Sequence, residues 1–229
     1  MGARFINNDG TPIRKLVGVK KQYENINGVF EPVYYDGYVL FNGLTTDGIA
    51  YIDLGRKGYG NNTHVIDFTL TTLSGNVGIY GDRTGYTKMI GIIYYKPDNT
   101  IFVDNGENDA TNRFMKASAT IGRYKTTISA TKTTMLHDGV FVAEINYTTP
   151  ICSETNSSLK VFRYPKWETP ITYFQGISTV HSIKEYSSSG VLLYHYVPAR
   201  RNSDNKLGLL DVVNGVFYTN AAGSGSFSV

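Results

Sequence analysis

From Gly190 to Val229 the chain reads GVLLYHYVPARRNSDNKLGLLDVVNGVFYTNAAGSGSFSV, and this stretch decides the fold. Short apolar runs at 191–197, 207–213 and 216–218 are divided by turn chemistry. Pro198 is expected to close the first run, because proline lacks the N–H that a strand ladder needs. Asn214-Gly215 is the strongest short hairpin signal and predicts a reversal into Val216-Phe217-Tyr218. A Gly/Ser stretch then leads to Phe227 and the end of the sequence.

The same grammar runs back through the chain. Residues 64–71 alternate, with His64, Ile66, Phe68 and Leu70 on one face. Residues 89–95 form a nearly continuous apolar run and therefore a central strand. Asp138-Gly139 separates runs at 133–137 and 140–146, a second hairpin signal. Further strands are expected at 77–80, 101–103, 125–130, 159–164 and 176–186. No window keeps apolar residues at helical spacing for three turns. With 18 Tyr, 11 Phe and a single Trp, the composition favours pleated, half-buried surfaces. About a dozen strands in two antiparallel sheets follow, an all-β sandwich. At 229 residues the chain is long enough to bury roughly 70% of its unfolded surface without staples.

Residues 1–36 read as a separate unit, an N-terminal hairpin or arm with β-prone runs at 14–21 and 28–35, and Asp36-Gly37 marks its exit. A lone hairpin is marginal in water, so it must pack on the sandwich or on another chain. An attachment arm completed by a partner and a plain edge hairpin are both compatible with this pattern. Residues 37–229 form the main domain.

Several functional classes are disfavoured at this level. Net charge is +3 with Lys and Arg scattered, which does not describe a nucleic-acid face. The single Cys152 rules out an intramolecular disulfide and fits either a fold that needs none or a chain that never meets an oxidising compartment. No run reaches the length of a membrane span, no early apolar stretch resembles a signal peptide, and Ile6 breaks a myristoylation motif. The sequons at Asn61, Asn146 and Asn156 read as polar loops.

The terminal stretch resembles the C-terminal signature of phage and prophage tail-fibre and virion-appendage proteins with a concanavalin A-like (laminin G-like) sandwich, commonly of the form F-V-P-A/C-R…G-L-Y-D…G-x-F-Y-x-N-A-G-T-G-x-F. Pro198, Ala199, Arg200, Gly208, Leu209, Asp211, Gly215, Phe217, Tyr218, Asn220, Ala221, Gly225 and Phe227 stand at matching positions, while Leu210 replaces the usual Tyr and Ala222 is extra. Tyr38 to Gly43 and Ile49 to Gly55 are similar to the opening strand pair of the same domains, and Val17 to Lys21 with Ile26 to Val29 resembles their short linker modules. This resemblance implies a concanavalin A-like antiparallel jelly roll whose first and last strands pair, placing residues 38–41 beside the C-terminal strands. It also implies a virion location, a homo-oligomer such as a trimer, contacts to other capsid or tail proteins through residues 1–36, and display of the sandwich toward a bacterial surface polysaccharide.

Candidate sites follow from residue chemistry. Sugars stack on exposed aromatic faces while polar groups bond their hydroxyls. Tyr59, Tyr86 and Trp167 sit in Gly- or Pro-marked loops, and Arg83 neighbours Tyr86, so these four are the glycan-binding candidates. Asp104, Glu107 and Asp109 crowd hard oxygen ligands into what reads as a turn, a candidate Ca²⁺ site, although the spacing is not that of an EF-hand. The long loops 105–120 and 147–158 are expected to carry function. Glycosidases need a carboxylate pair, and the E-x-D-x-x-E string of sandwich glucanases is absent. His64, His137, His181 and His195 lie in or beside strands without a G-x-S-x-G elbow. The expectation is a non-enzymatic, lectin-like virion protein. A purely architectural capsid or tail protein and a glycan-cleaving or deacetylating enzyme are the alternatives.

Overall fold

The computed structural model describes residues 5–6, 12–13, 21–26, 29–83, 88–107, 114–147, 151–165 and 173–229. Among them the only helical turn is the 3-10 segment Lys96–Asp98, and all the strand pairing is antiparallel. Two sheets carry the main domain. The smaller runs Phe114–Ser118, Thr100–Glu107, Lys88–Tyr95, Val77–Asp82, Lys160–Val161, Ile52–Asp53. The larger runs Val140–Asn146, Lys132–His137, Gly122–Ile128, Thr63–Leu70, Ser178–Tyr186, Leu192–Arg201, Leu207–Asp211, Val216–Thr219.

Alternation places the core. In Thr63–Leu70 every second residue is buried, so His64, Ile66, Phe68 and Leu70 face inward as the pattern predicts. They meet Tyr80, Ile90, Ile92, Val103 and Met115 from the smaller sheet. Lys88–Tyr95 is buried on both faces. Its outer side chain Ile93 is covered by Tyr164 and Phe174, from the small hairpin Tyr164–Pro165 and Tyr173–Phe174. A strand covered on both sides has no need of alternation, hence its continuous apolar run.

The two ends of the main domain meet. Tyr38–Leu40 pairs with Leu192–Arg201, and Phe227–Ser228 pairs with Leu44–Thr46. The expected pairing of first and last strands is present. On the outer face of the larger sheet, Val197, Ala199, Leu210 and Val212 form a second apolar cluster under Tyr35, Tyr38, Leu40 and Phe217. The exit of the N-terminal unit therefore packs against the sandwich.

Three local expectations need correction. Pro198 does not end its strand but lies inside Leu192–Arg201, opposite Leu209. On the other side of that strand the neighbour changes there, from Ser178–Tyr186 at Tyr196 to Tyr38–Leu40 at Ala199. A missing N–H at the changeover breaks no ladder. Asn214-Gly215 is not a two-residue turn: Asp211 pairs with Val216 across a four-residue loop, with the Gly215 N–H donating to the Asp211 carbonyl at 2.7 Å. Only Asp138-Gly139 has both central residues at positive φ, 48° and 80°, as the tight mirror-image turn demands. Of the loop assigned to 105–120, residues 105–107 and 114–118 are strand, within Thr100–Glu107 and Phe114–Ser118, and 108–113 lie outside the described residues. The N-terminal hairpin joins Lys21–Ile26 to Val29–Tyr35, and Phe5–Ile6 pairs with Pro12–Ile13; of the run expected at 14–21, residues 14–20 lie outside the described residues.

Candidate functional site

The loop after Ile52–Asp53 presents Tyr59 on the surface, 41% exposed. Its backbone is clamped to residues 152–159. Gly58 N–H donates to the Thr155 hydroxyl at 2.9 Å, Thr155 N–H to the Gly58 carbonyl at 2.9 Å, and Gly60 N–H to the Cys152 carbonyl at 2.8 Å. A side chain at Gly60 would collide with the Cys152 carbonyl at 2.5 Å, so glycine is what lets these two backbones approach. The Tyr59 hydroxyl donates to Glu154 Oε1 at 2.6 Å, and Lys57 Nζ donates to Oε2 at 2.9 Å. These two donors hold the Glu154 carboxyl below its usual range, and the same bond raises Tyr59.

Beneath this surface lies a buried polar cluster. Glu185 is fully buried and accepts from Arg56 at one oxygen and from Asn62 Nδ2, at 2.7 Å, at the other. Arg56 also donates from Nε to the Tyr196 hydroxyl at 2.8 Å, and its guanidinium lies 3.8 Å over the Tyr194 ring. Burial works against the Arg56 charge, but Tyr80, Glu185 and Tyr196 outweigh it and raise its pKa. His64 ties the cluster to the loop. Its Nε2 lies 3.0 Å from the Tyr59 carbonyl, which can only accept, so that nitrogen carries the proton. Nδ1 then accepts from the Tyr80 hydroxyl at 3.0 Å. Burial lowers the His64 pKa although Glu185 pulls the other way, leaving the ring neutral.

Of the sequence-based candidates, Tyr59, Arg83, Asp104 and Glu107 fall among the described residues. Tyr59 is exposed as expected, and the cluster around it gathers Arg56, Lys57, Asn62, His64, Glu154, Glu185, Tyr194 and Tyr196, which sequence reasoning did not assign. Arg83, chosen as a glycan contact, is 5% exposed and lies 3.7 Å from Asp104, which was chosen for calcium. Asp104 sits within the strand Thr100–Glu107, not in a turn, and accepts from the Tyr164 hydroxyl at 2.5 Å. Burial, with Asp104 adding to it, raises Tyr164 well above the usual phenol range. Glu107 ends that strand, and Asp109, Tyr86 and Trp167 lie outside the described residues. No group of three or more His, Cys, Asp or Glu suited to a metal occurs among the described residues.

Asp82 completes this second cluster. It is fully buried and accepts from the Ser157 N–H at 3.0 Å and the Ser157 hydroxyl at 2.6 Å. Residues 152–159 thus touch both clusters. Elsewhere, an open hollow of about 360 Å³ is lined by Lys206, Thr219, Asn220, Ser226 and Phe227.

No family model and no curated protein matches the chain. Among solved structures it is similar to the mouse laminin alpha1 chain, domains LG4-5, with TM-score 0.45 and 16% sequence identity over 73% of this chain and 48% of that one. The chain thus spans about half the length of that structure. Two antiparallel sheets closed by the pairing of the domain's ends make the concanavalin A-like sandwich that the terminal motifs imply.

Proposed function

We propose that this chain is a phage virion protein, a fibre or decoration appendage, that binds a bacterial surface glycan through the Tyr59 face without cleaving it. Residues 1–36 would mount it on other virion proteins. A homo-oligomer, with a trimer as the working state, would multiply weak contacts into avidity. The observation that carries the binding role is an aromatic ring held outward on a preorganised loop, with charged hydrogen-bonding groups at its edge and its backbone locked by His64 and Thr155. Such a ring offers stacking area at low entropic cost. Glu154 is unsuited to act as a general acid, which needs a raised carboxyl pKa, because Tyr59 and Lys57 lower this one. The virion assignment rests on the C-terminal motif from Pro198 to Phe227.

The test is to incubate the purified protein with a panel of bacterial surface polysaccharides, with and without Ca²⁺, recording both retention and new reducing ends. Retention without release is the expected result, and release would replace the adhesin with an enzyme. An architectural role has its own support in the edge strand Val140–Asn146, where Val140, Phe141 and Val142 are 67%, 59% and 45% exposed. That reading predicts self-association lost on Phe141→Lys and no retention on any polysaccharide.

A further inference from the structure

The charges of the Tyr59 face are paired. The two cations on its loop are each matched at contact distance by a carboxylate, Arg56 by Glu185 and Lys57 by Glu154 at 2.9 Å. Lys88 adds a longer-range attraction to Glu154. All four carboxylate oxygens have a donor: Arg56 and Asn62 on Glu185, Tyr59 and Lys57 on Glu154. The inner pair is shut away, with side-chain exposures of 15% and 1%, whereas Lys57 and Glu154 remain 45% and 37% exposed.

An anionic sugar could reach Lys57 only by breaking its pair with Glu154, which sets its own charge beside that carboxylate, and like charges in contact repel. An uncharged sugar meets no such barrier. The Lys57 ammonium has two N–H donors left after Glu154, and the Glu154 oxygens have lone pairs beyond those used by Tyr59 and Lys57. A donor and an acceptor side by side at the edge of an aromatic ring match two neighbouring sugar hydroxyls, one accepting and one donating, with the pyranose over the ring. Resting on the glycan-binding reading above, we infer that the ligand of this face is a neutral saccharide, read through adjacent hydroxyls by Lys57 and Glu154, and that polyanionic glycans are rejected.

Retention of the purified protein on immobilised neutral polymers (dextran, mannan, galactan) and on polyanions (polygalacturonate, hyaluronan, a teichoic acid) at low and high sodium chloride tests this. The expected result is retention on at least one neutral polymer, changing by less than about twofold with salt, and none on the polyanions. Glu154→Gln, which frees Lys57, should weaken neutral retention roughly threefold, the order of an exposed ion pair, and give measurable retention on the polyanions. A thermal melt of the variant confirms that it is folded. Retention confined to polyanions and abolished by salt overturns the neutral assignment while leaving glycan binding intact. An unchanged ligand profile in Glu154→Gln overturns the role of the Lys57 and Glu154 pair. Retention on none of the polymers, with the polysaccharide panel also negative, removes the glycan reading and this inference with it.

Discussion

Glu185 and Asp104 are both carboxylates buried in the sandwich, each opposite an arginine, yet they serve different surfaces. Around Glu185, the partners Arg56, Asn62 and, through His64, the Tyr59 backbone lead outward to an exposed ring. Around Asp104, the partners Arg83 and Tyr164 are themselves buried, and Tyr164 is capped onto Ile93 and Phe174. The same chemistry, a charge made tolerable by hydrogen bonds, positions a loop in one case and seals a seam in the other. A buried ion pair is weak evidence for stability and weaker evidence for function until what lies above it is known.

Substituting both carboxylates breaks or sharpens that contrast. Glu185→Gln leaves the Arg56 charge without its counter-ion, and breaking a buried pair costs about 3 kcal/mol or more. The denaturation midpoint should fall accordingly, and folded variant should lose glycan retention because the Tyr59 loop is no longer held. Asp104→Asn should cost less, about 2 kcal/mol, since its amide oxygen can still accept from Tyr164. Retention per folded molecule should stay at the level of the unsubstituted protein. If Asp104→Asn also abolishes retention, the two clusters act as one site through residues 152–159, which bond to both.

Acid should reach the Glu185 cluster and the strand Leu192–Arg201 in different ways. His64 sits in the Glu185 cluster with a lowered pKa, and burial also lowers His195, to about 3. Because both histidines stay neutral when folded but take up a proton near pH 6.5 when unfolded, their contribution is full above pH 6.5. It is lost as pH falls from 6.5 toward each folded pKa, which for His195 is about 3. Each costs at most ~1.4 kcal/mol per pH unit in that window. Thermal midpoints measured from pH 7 to 4.5 should fall, and fall less steeply in His195→Gln. A His64 substitution should flatten the slope as well but also reduce retention, which distinguishes the histidine that braces the loop from the one that does not.

Much of the fold is written in local pattern. Alternation in Thr63–Leu70 and the double positive-φ demand of Asp138-Gly139 concern neighbours in the chain, and both were readable. Pro198 was misread because its cost depends on which strand lies beside it, and that neighbour, Tyr38–Leu40, comes from the far end of the domain. The acidic string at Asp104 looked like a turn for a similar reason. Its polar side chains are satisfied by distant groups: Asp104 by Tyr164, and Asn105 by the carbonyls of Gly60 and Ser129. Composition cannot supply those partners. At the candidate site only Tyr59 was legible, since a ring between two glycines announces a loop. Glu185 read as one more polar position in a strand, because Arg56 and Asn62 lie more than a hundred residues upstream.

The smallest expected effect is the most direct test of the outward-leading cluster. Tyr59 is exposed and its Glu154 partner is surface-accessible, so Tyr59→Ala should leave stability within about 0.5 kcal/mol. Retention should nevertheless drop, because a stacked aromatic is worth about 1 kcal/mol, which is roughly fivefold in affinity. Tyr59→Phe separates the two contributions of this residue: the ring remains, while Glu154 loses a donor and holds its position only through Lys57. Titration of both variants against the best-retained polysaccharide should therefore give affinities in the order unsubstituted, Phe, Ala. Equal loss in Phe and Ala would mean that the hydroxyl, not the ring, is what the glycan needs. No loss in either would move the binding surface away from this loop and leave the Glu185 cluster as structural as that of Asp104.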